Sequence, residues 1–82
     1  MLQDKLSKEQ LVAAVKGGEP LINELDLSDG NYQDIDLGGG TFQEVNFSNA
    51  NLSGAILKEC NFINCDFSGA LLNGANLILA NF

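Results

Sequence analysis

Few residues in this sequence have side chains that could carry out chemistry, and their spacing limits what that chemistry could be. Cys60 and Cys65 are the two cysteines of the 82-residue sequence, which contains no histidine. Two thiols alone do not make a zinc site, which normally takes four cysteine or histidine ligands. A disulfide would need matching Cβ geometry, which the sequence does not give. Because a reduced cysteine packs as a small apolar residue, we expect both thiols to be buried, reduced and metal-free.

Candidate catalytic residues lack the neighbouring groups that catalysis would need. A nucleophilic serine or cysteine needs a neighbouring base, and after residue 20 the sequence offers Lys58 as its single lysine and no histidine. Gly38-Gly39-Gly40 looks like a phosphate-binding loop in composition only, because no Lys-Ser/Thr pair follows it. The sequence therefore predicts a protein that is not an enzyme and that needs no cofactor and no metal.

The remaining ionisable residues are mainly acidic. Eleven Asp and Glu against four Lys give a net charge of −7, which argues against direct nucleic acid binding through phosphate neutralisation. The acids are densest in residues 20–39, where five occur without a base: Glu24, Asp26, Asp29, Asp34 and Asp36. A solvated rim is the favoured interpretation, and an acidic recognition surface is the alternative. A calcium site is disfavoured, since the segment lacks the alternating ligands and distal glutamate of an EF-hand loop.

A five-residue repeat positions all of these residues. From residue 20 to residue 82, the third residue of each five-residue unit is large and apolar, and no unit contains an insertion or a deletion. The large residues that we expect in the core are Leu27, Tyr32, Leu37, Phe42, Phe47, Leu52, Leu57, Phe62, Phe67, Leu72, Leu77 and Phe82. A period of five matches neither a helix nor a strand. Residues twenty apart are also alike, so a period of twenty underlies the period of five.

The repeat resembles that of the pentapeptide-repeat family. The family unit A-(D/N)-L-x-x is visible in Ala50-Asn-Leu52-Ser-Gly54, and thirteen consecutive units cover 63 of the 82 residues. The resemblance implies an all-β solenoid, a right-handed quadrilateral parallel β-helix in which four units complete one coil. Residues 20–82 would then form about three coils, with residues twenty apart stacked on one another.

Residues 1–19 differ from the repeat and have a helical pattern. Ser7 and Gln10 match a capping box, which predicts a helix from about residue 8 to residue 16. A helix this short is marginal in water alone, so we expect it to cap the open N-terminal end of the β-helix. The predicted division is therefore a capping helix and linker in residues 1–19 and a β-helix in residues 20–82.

Five outward positions in the C-terminal half are apolar instead of polar: Ile56, Ile63, Leu71, Ile78 and Leu79. Clustered apolar surface implies a partner, so we treat these residues as a possible interaction surface for an unidentified protein. The repeat stops at Phe82 without a cap, and open strand edges invite pairing with another chain. Members of the resembled family often dimerise through their C-terminal ends. The open end would be covered either by further chain beyond Phe82 or by a second copy, and because the resemblance favours the second, we predict a homodimer joined at the last coil.

Three functions fit these features. The first is a non-enzymatic protein–protein interaction or scaffold module. The second follows from a resemblance to the quinolone-resistance branch of the family, whose acidic rods mimic DNA and bind gyrase and other type II topoisomerases. Residues 20–82 carry net −7 over a rod of roughly 15 Å, against about nine charges for DNA, but their acids concentrate in the first coil. The third is a purely structural module of undefined role.

The expected cellular location follows from the lack of a transmembrane segment and of a secretory signal in the sequence. No stretch approaches the run of about 18 apolar residues that a transmembrane helix needs, and the N-terminus does not have the pattern of a secretory signal. We therefore expect a cytoplasmic protein with no membrane contact.

Overall fold

The computed structural model describes residues 6–17 and 22–82, where one helix precedes three short parallel strands. Helix α1 spans Lys8–Lys16, and strands β1, β2 and β3 span Ile22–Asn23, Thr41–Gln43 and Asn61–Ile63. The strands form one parallel sheet in the order β1-β2-β3. Their register is offset by twenty residues, so Phe42 lies opposite Ile22 on one side and Phe62 on the other.

The same offset holds on the other three sides of the coil. Isolated parallel bridges join Asp26 to Asn46, Asn31 to Asn51 and Asp36 to Ile56. Four five-residue sides therefore complete each coil, which confirms the predicted quadrilateral parallel β-helix. We number its faces in chain order by their stacked large residues: Ile22, Phe42, Phe62 and Phe82 on the first; Leu27, Phe47 and Phe67 on the second; Tyr32, Leu52 and Leu72 on the third; Leu37, Leu57 and Leu77 on the fourth.

Each corner of the coil contains a residue in the left-handed conformation. The twelve residues at intervals of five from position 24 to position 79 have φ between 53° and 81°, a region that Gly, Asn and Asp enter more easily than other residues. The Asp or Asn before the large residue supports the corner. Thus Oδ1 of Asn51 accepts a hydrogen bond from the backbone N–H of Ser53 at 3.0 Å. The polar positions of the unit are explained by this corner geometry.

Burial decreases toward the C-terminal coil. Of the twelve residues predicted in the core, eight are buried, and Phe67, Leu72 and Leu77 are half-buried. Phe82 departs from the prediction, since it is 68% exposed. The physical reason is that a solenoid buries each layer under the next, and no described residue stacks on the outer side of Phe82.

Aromatic rings stack along two adjacent faces. On the first face, ring centroids lie 5.3 Å apart for Phe42 and Phe62 and 5.1 Å apart for Phe62 and Phe82. On the second face, Phe47 and Phe67 stack at 4.9 Å. The two columns meet edge to face, for example between Phe47 and Phe62 at 6.0 Å. These contacts confirm that Phe42, Phe62 and Phe82 share one face, as the period of twenty predicts.

The start of α1 agrees with the sequence pattern. Ser7 is the N-cap: its side chain accepts a hydrogen bond from the backbone N–H of Gln10 at 3.2 Å, while the Gln10 side chain accepts one from the N–H of Ser7 at 2.9 Å. The predicted capping box and helix bounds are confirmed. The predicted boundary between residues 19 and 20 lies outside the described residues.

Helix α1 packs on the N-terminal end of the β-helix. Leu11 is fully buried within the same apolar cluster as the first coil. The Tyr32 hydroxyl donates a hydrogen bond to the carbonyl oxygen of Leu6 at 2.9 Å. The Lys16 ammonium lies 3.3 Å from the Asp36 carboxylate, although both side chains are about half exposed, so this pair adds little stability. The helix therefore covers the first coil mainly through apolar burial.

Candidate interaction surfaces

The two cysteines occupy successive corners of the interior. Cys60 is buried, and its thiol donates to the carbonyl oxygen of Leu37 at 3.0 Å; the Cys65 thiol lies 3.5 Å from the carbonyl oxygen of Phe42. Neither takes part in a disulfide. Cys65 is only partly buried, in contrast to the prediction, because no described residue stacks on its outer side, whereas Ala80 follows Cys60 by twenty residues. Burial raises the pKa of both thiols, which keeps them neutral and weakly nucleophilic.

Thiol labelling should reveal the difference in burial between Cys60 and Cys65. At neutral pH we expect Cys65 to react with a colourimetric disulfide reagent before Cys60, and both to react more slowly than in urea-unfolded protein. The Cys60→Ala variant, which introduces the residue found twenty positions later at Ala80, should retain only the faster phase. Two thiols that react at the unfolded rate in the native protein would contradict this packing.

The five predicted acids do not form one surface. They are spread around the first coil, two on the second face and one on each of the other three: Glu24 on the first face, Asp26 and Asp29 on the second, Asp34 on the third, and Asp36 on the fourth. Successive units turn from one face to the next, so acids that are close in sequence point in different directions. These five residues therefore encircle the coil, and we call them the acidic belt; they do not form the single recognition surface that was the alternative to a solvated rim.

Two members of the acidic belt are engaged locally. Oδ1 of Asp26 accepts hydrogen bonds from the hydroxyl and the backbone N–H of Ser28 at 2.6 and 3.0 Å. The backbone N–H of Gly38 donates to Asp36 at 3.0 Å, and this bond, followed by the Lys16 ammonium, lowers the pKa of Asp36. These carboxylates help to hold corners and the capping helix. Within the described residues, no group of three His, Cys, Asp or Glu side chains could hold a metal ion.

The predicted apolar surface is also divided among faces. All five residues are exposed, between 41% and 72%. Ile56, Ile78 and Leu79 share the fourth face, whereas Leu71 lies on the third and Ile63 on the first, which is opposite the third. The structure therefore brings three of the five together, and a single patch of all five is ruled out by the quarter turn between units.

A second apolar surface lies at the C-terminal end, which we define as the outward side of residues 65–82. Phe82 is 68% exposed there, beside the half-buried Leu72 and Leu77, and Leu79 of the fourth face, three residues before it, is 72% exposed. In the second coil, the N–H of Leu52 donates to the carbonyl oxygen of Leu71 in the next coil. The equivalent N–H of Leu72 has no such partner among the described residues. This end therefore combines exposed apolar side chains with unpaired backbone groups.

A groove that sequence reasoning missed lies beside the contact between α1 and the first coil. Its volume is about 510 Å³, and Val12, Ala13 and Ile35 contribute its apolar lining. The one sequence signal is Ile35, which occupies a small inward position where the next two coils have Ala55 and Ala75. The groove depends on how the helix packs, so the repeat pattern alone does not predict it.

No helix in the described part of the chain is long and apolar enough to cross a membrane.

Comparison with known proteins agrees with this architecture. The family model described as pentapeptide repeats matches in eight copies within residues 23–58, 33–69 and 60–82. Among solved structures, alr5209, a pentapeptide repeat protein from Nostoc Pcc 7120, is similar with 27% sequence identity and a TM-score of 0.66, over 95% of this chain and 77% of that chain. Comparison with curated protein sequences gave no significant match.

A four-sided parallel β-helix with one five-residue unit on each side defines a class of solenoid repeat proteins. The matched repeats extend through residues 23–82, which contain the stacked columns. The chain belongs to the pentapeptide-repeat family.

Proposed function

We propose that this chain is a non-enzymatic protein-interaction module that forms a homodimer through its C-terminal end. The observation that carries the proposal is the exposure of Phe82 and Leu79, 68% and 72%, on the coil that no described residue covers. Apolar side chains of this size grouped on one surface favour association. The function is therefore recognition through surfaces that the solenoid holds rigid.

A second copy is a suitable occupant for this end. The C-terminal edge offers both donors, such as the N–H of Leu72 and Leu77, and acceptors, such as the carbonyl oxygens of Ala70 and Ala75, none of which is paired among the described residues. A two-fold axis places the same edge of each copy against the other, so donors of one copy can meet acceptors of its partner. The capping helices would then point away from the interface.

Charge introduced at the end should disrupt this dimer. We expect the unmodified protein to sediment as a dimer at about 100 μM and Leu79→Asp to dissociate at least about tenfold more readily, because like charges would face each other across the axis. Leu79 has φ of 60°, a conformation that Asp tolerates better than Leu, so the variant should still fold. Sedimentation equilibrium measures the effect.

The matched control is Ile56→Asp, which places the same charge on an exposed side position of the second coil. Asp stands at the equivalent place in other units, at Asp36 and Asp66, and this variant should remain dimeric. A native protein that is monomeric at high micromolar concentration would overturn the proposed homodimer. Equal weakening by both variants would place the interface elsewhere.

DNA mimicry receives less support. The acidic belt encircles the first coil, whereas residues 40–82 carry only Glu44, Glu59 and Asp66 against Lys58. A protein that imitates a DNA backbone needs charge at regular intervals along its length, and this distribution is concentrated at one end. The interaction module is therefore preferred to the gyrase-binding alternative. A purely structural role remains the interpretation if neither self-association nor partner binding is found.

A further inference from the structure

The groove between α1 and the first coil is open and shallow, with an apolar floor and a charged rim. Its volume of about 510 Å³ lies within the range of roughly 300–1,000 Å³ that ligand pockets occupy. Val12 and Ala13 line it from the helix and Ile35 from the coil. The Val12 side chain is half-buried and Ala13 is exposed, so apolar surface remains accessible at a place where the cap does not close completely on the coil.

The rim of the groove is charged, with an excess of carboxylates. Glu9 and Asp34 are exposed at its edge, and Lys8 supplies one ammonium group. The third carboxylate, that of Asp36, is already paired with Lys16 at 3.3 Å. Asp34 and Glu9 therefore leave the rim net negative, and a cation bound beside the apolar lining would be attracted by them.

We propose that this groove binds a segment of a partner protein in which an apolar side chain is next to a lysine or arginine. The apolar side chain would pack on Val12 and Ala13, above the buried Ile35, and the cation would lie near Asp34. This inference rests on the proposal that the chain is a protein-interaction module, and it adds the chemistry of the partner. A second copy of this chain is a poor occupant, because the acidic belts of two copies would repel each other.

Short peptides that carry the two recognised features test the chemistry of the groove directly. The probe is acetyl-Gly-Leu-Lys-Leu-Gly-amide, and the two controls replace its lysine by glutamate or both leucines by serine. Titration of the isotopically labelled full chain should shift the backbone amides of Val12, Ile35 and Asp36 with the lysine probe, with a Kd of about 1 mM. The glutamate and serine controls should bind at least about threefold more weakly, since each removes one of the two recognised features.

Two variants assign the site. Asp34→Asn should weaken the lysine probe about threefold, as loss of one exposed ion pair does. Its control is Asp29→Asn, the same change on the second face at a nearly identical φ of 60° against 61°, and it should leave the affinity unchanged. Ala13→Gln fills the groove from an exposed helix position. It should reduce binding of both the lysine probe and the glutamate control.

The outcomes separate this inference from the proposed dimer. Absence of probe binding at 10-fold the expected Kd, equal binding of the glutamate control, or equal effects of Asp34→Asn and Asp29→Asn would each overturn the groove site. Shifts confined to residues 65–82 would overturn it as well. Sedimentation of the same samples reports self-association independently, so an intact dimer without groove binding contradicts this inference alone, and groove binding by a monomer contradicts the dimer alone.

Discussion

Replacement of Phe47 by alanine should destabilise the protein by about 3–5 kcal/mol, the range observed when a large buried aromatic is truncated. Phe47 is fully buried, stacks on Phe67 at 4.9 Å, and meets the rings of Phe42 and Phe62 edge to face at 5.9 and 6.0 Å. Its removal would leave a cavity between two coils. Urea unfolding followed by circular dichroism measures the loss.

The same substitution at the open end provides the control. Phe82→Ala should cost no more than about 1 kcal/mol when measured at a concentration low enough for monomers, because Phe82 is 68% exposed. If Phe47→Ala does not fold, Phe47→Leu serves as the second variant, since Leu27 fills the large position on the same face in the first coil, and it should cost less than Phe47→Ala because less volume is lost. Equal losses for Phe47→Ala and Phe82→Ala would contradict the gradient of burial.

Replacement of Gly30 by alanine should cost about 2 kcal/mol, although alanine is the usual residue at this position of the repeat. A Cβ at residue 30 would lie 2.7 Å from Cζ and 2.9 Å from the hydroxyl oxygen of Tyr32. Tyr32 is buried and its hydroxyl donates to the carbonyl oxygen of Leu6, so the ring has little freedom to move away. Overpacking of this kind typically costs about 1–3 kcal/mol.

A second substitution should remove the conflict. In the next two coils the equivalent pairs are Ala50 with Leu52 and Ala70 with Leu72, which shows that alanine is accommodated beside leucine. We expect Tyr32→Leu to cost about 1–2 kcal/mol through the lost hydrogen bond and packing. The double variant should be close to Tyr32→Leu alone, with a coupling energy of at least about 1 kcal/mol. Additive losses in urea unfolding would show that the Gly30–Tyr32 contact is not the cause.

These two residues show how the first coil differs from those that follow. Tyr32 is larger than the leucines beneath it because its hydroxyl reaches the backbone before α1, and Gly30 provides the space that its ring requires. Ile35 is likewise larger than Ala55 and Ala75, and it lies against the capping helix. The irregular residues of the first coil therefore adapt a repeating interior to a helical cap.

The repeat architecture and the bounds of α1 can be predicted from the sequence alone. A period of five over a period of twenty leaves one consistent register, since every large residue must stack on another large residue to be buried, and the Ser7–Gln10 capping box defines the helix start through local hydrogen bonds. Both features depend on residues at fixed sequence separations, so a sequence pattern is sufficient to predict them.

The arrangement of the surface residues depends on the three-dimensional fold and could not be predicted from the repeat. The acids of residues 24–36 are close in sequence, yet the quarter turn at each corner distributes them over four faces, and the same turns separate Ile63 and Leu71 from the apolar residues of the fourth face. The groove beside Val12 depends on the docking of α1, which no repeat period encodes. Phe82 follows the core pattern but is exposed, because burial requires a neighbouring layer and periodicity specifies only the side chain's direction.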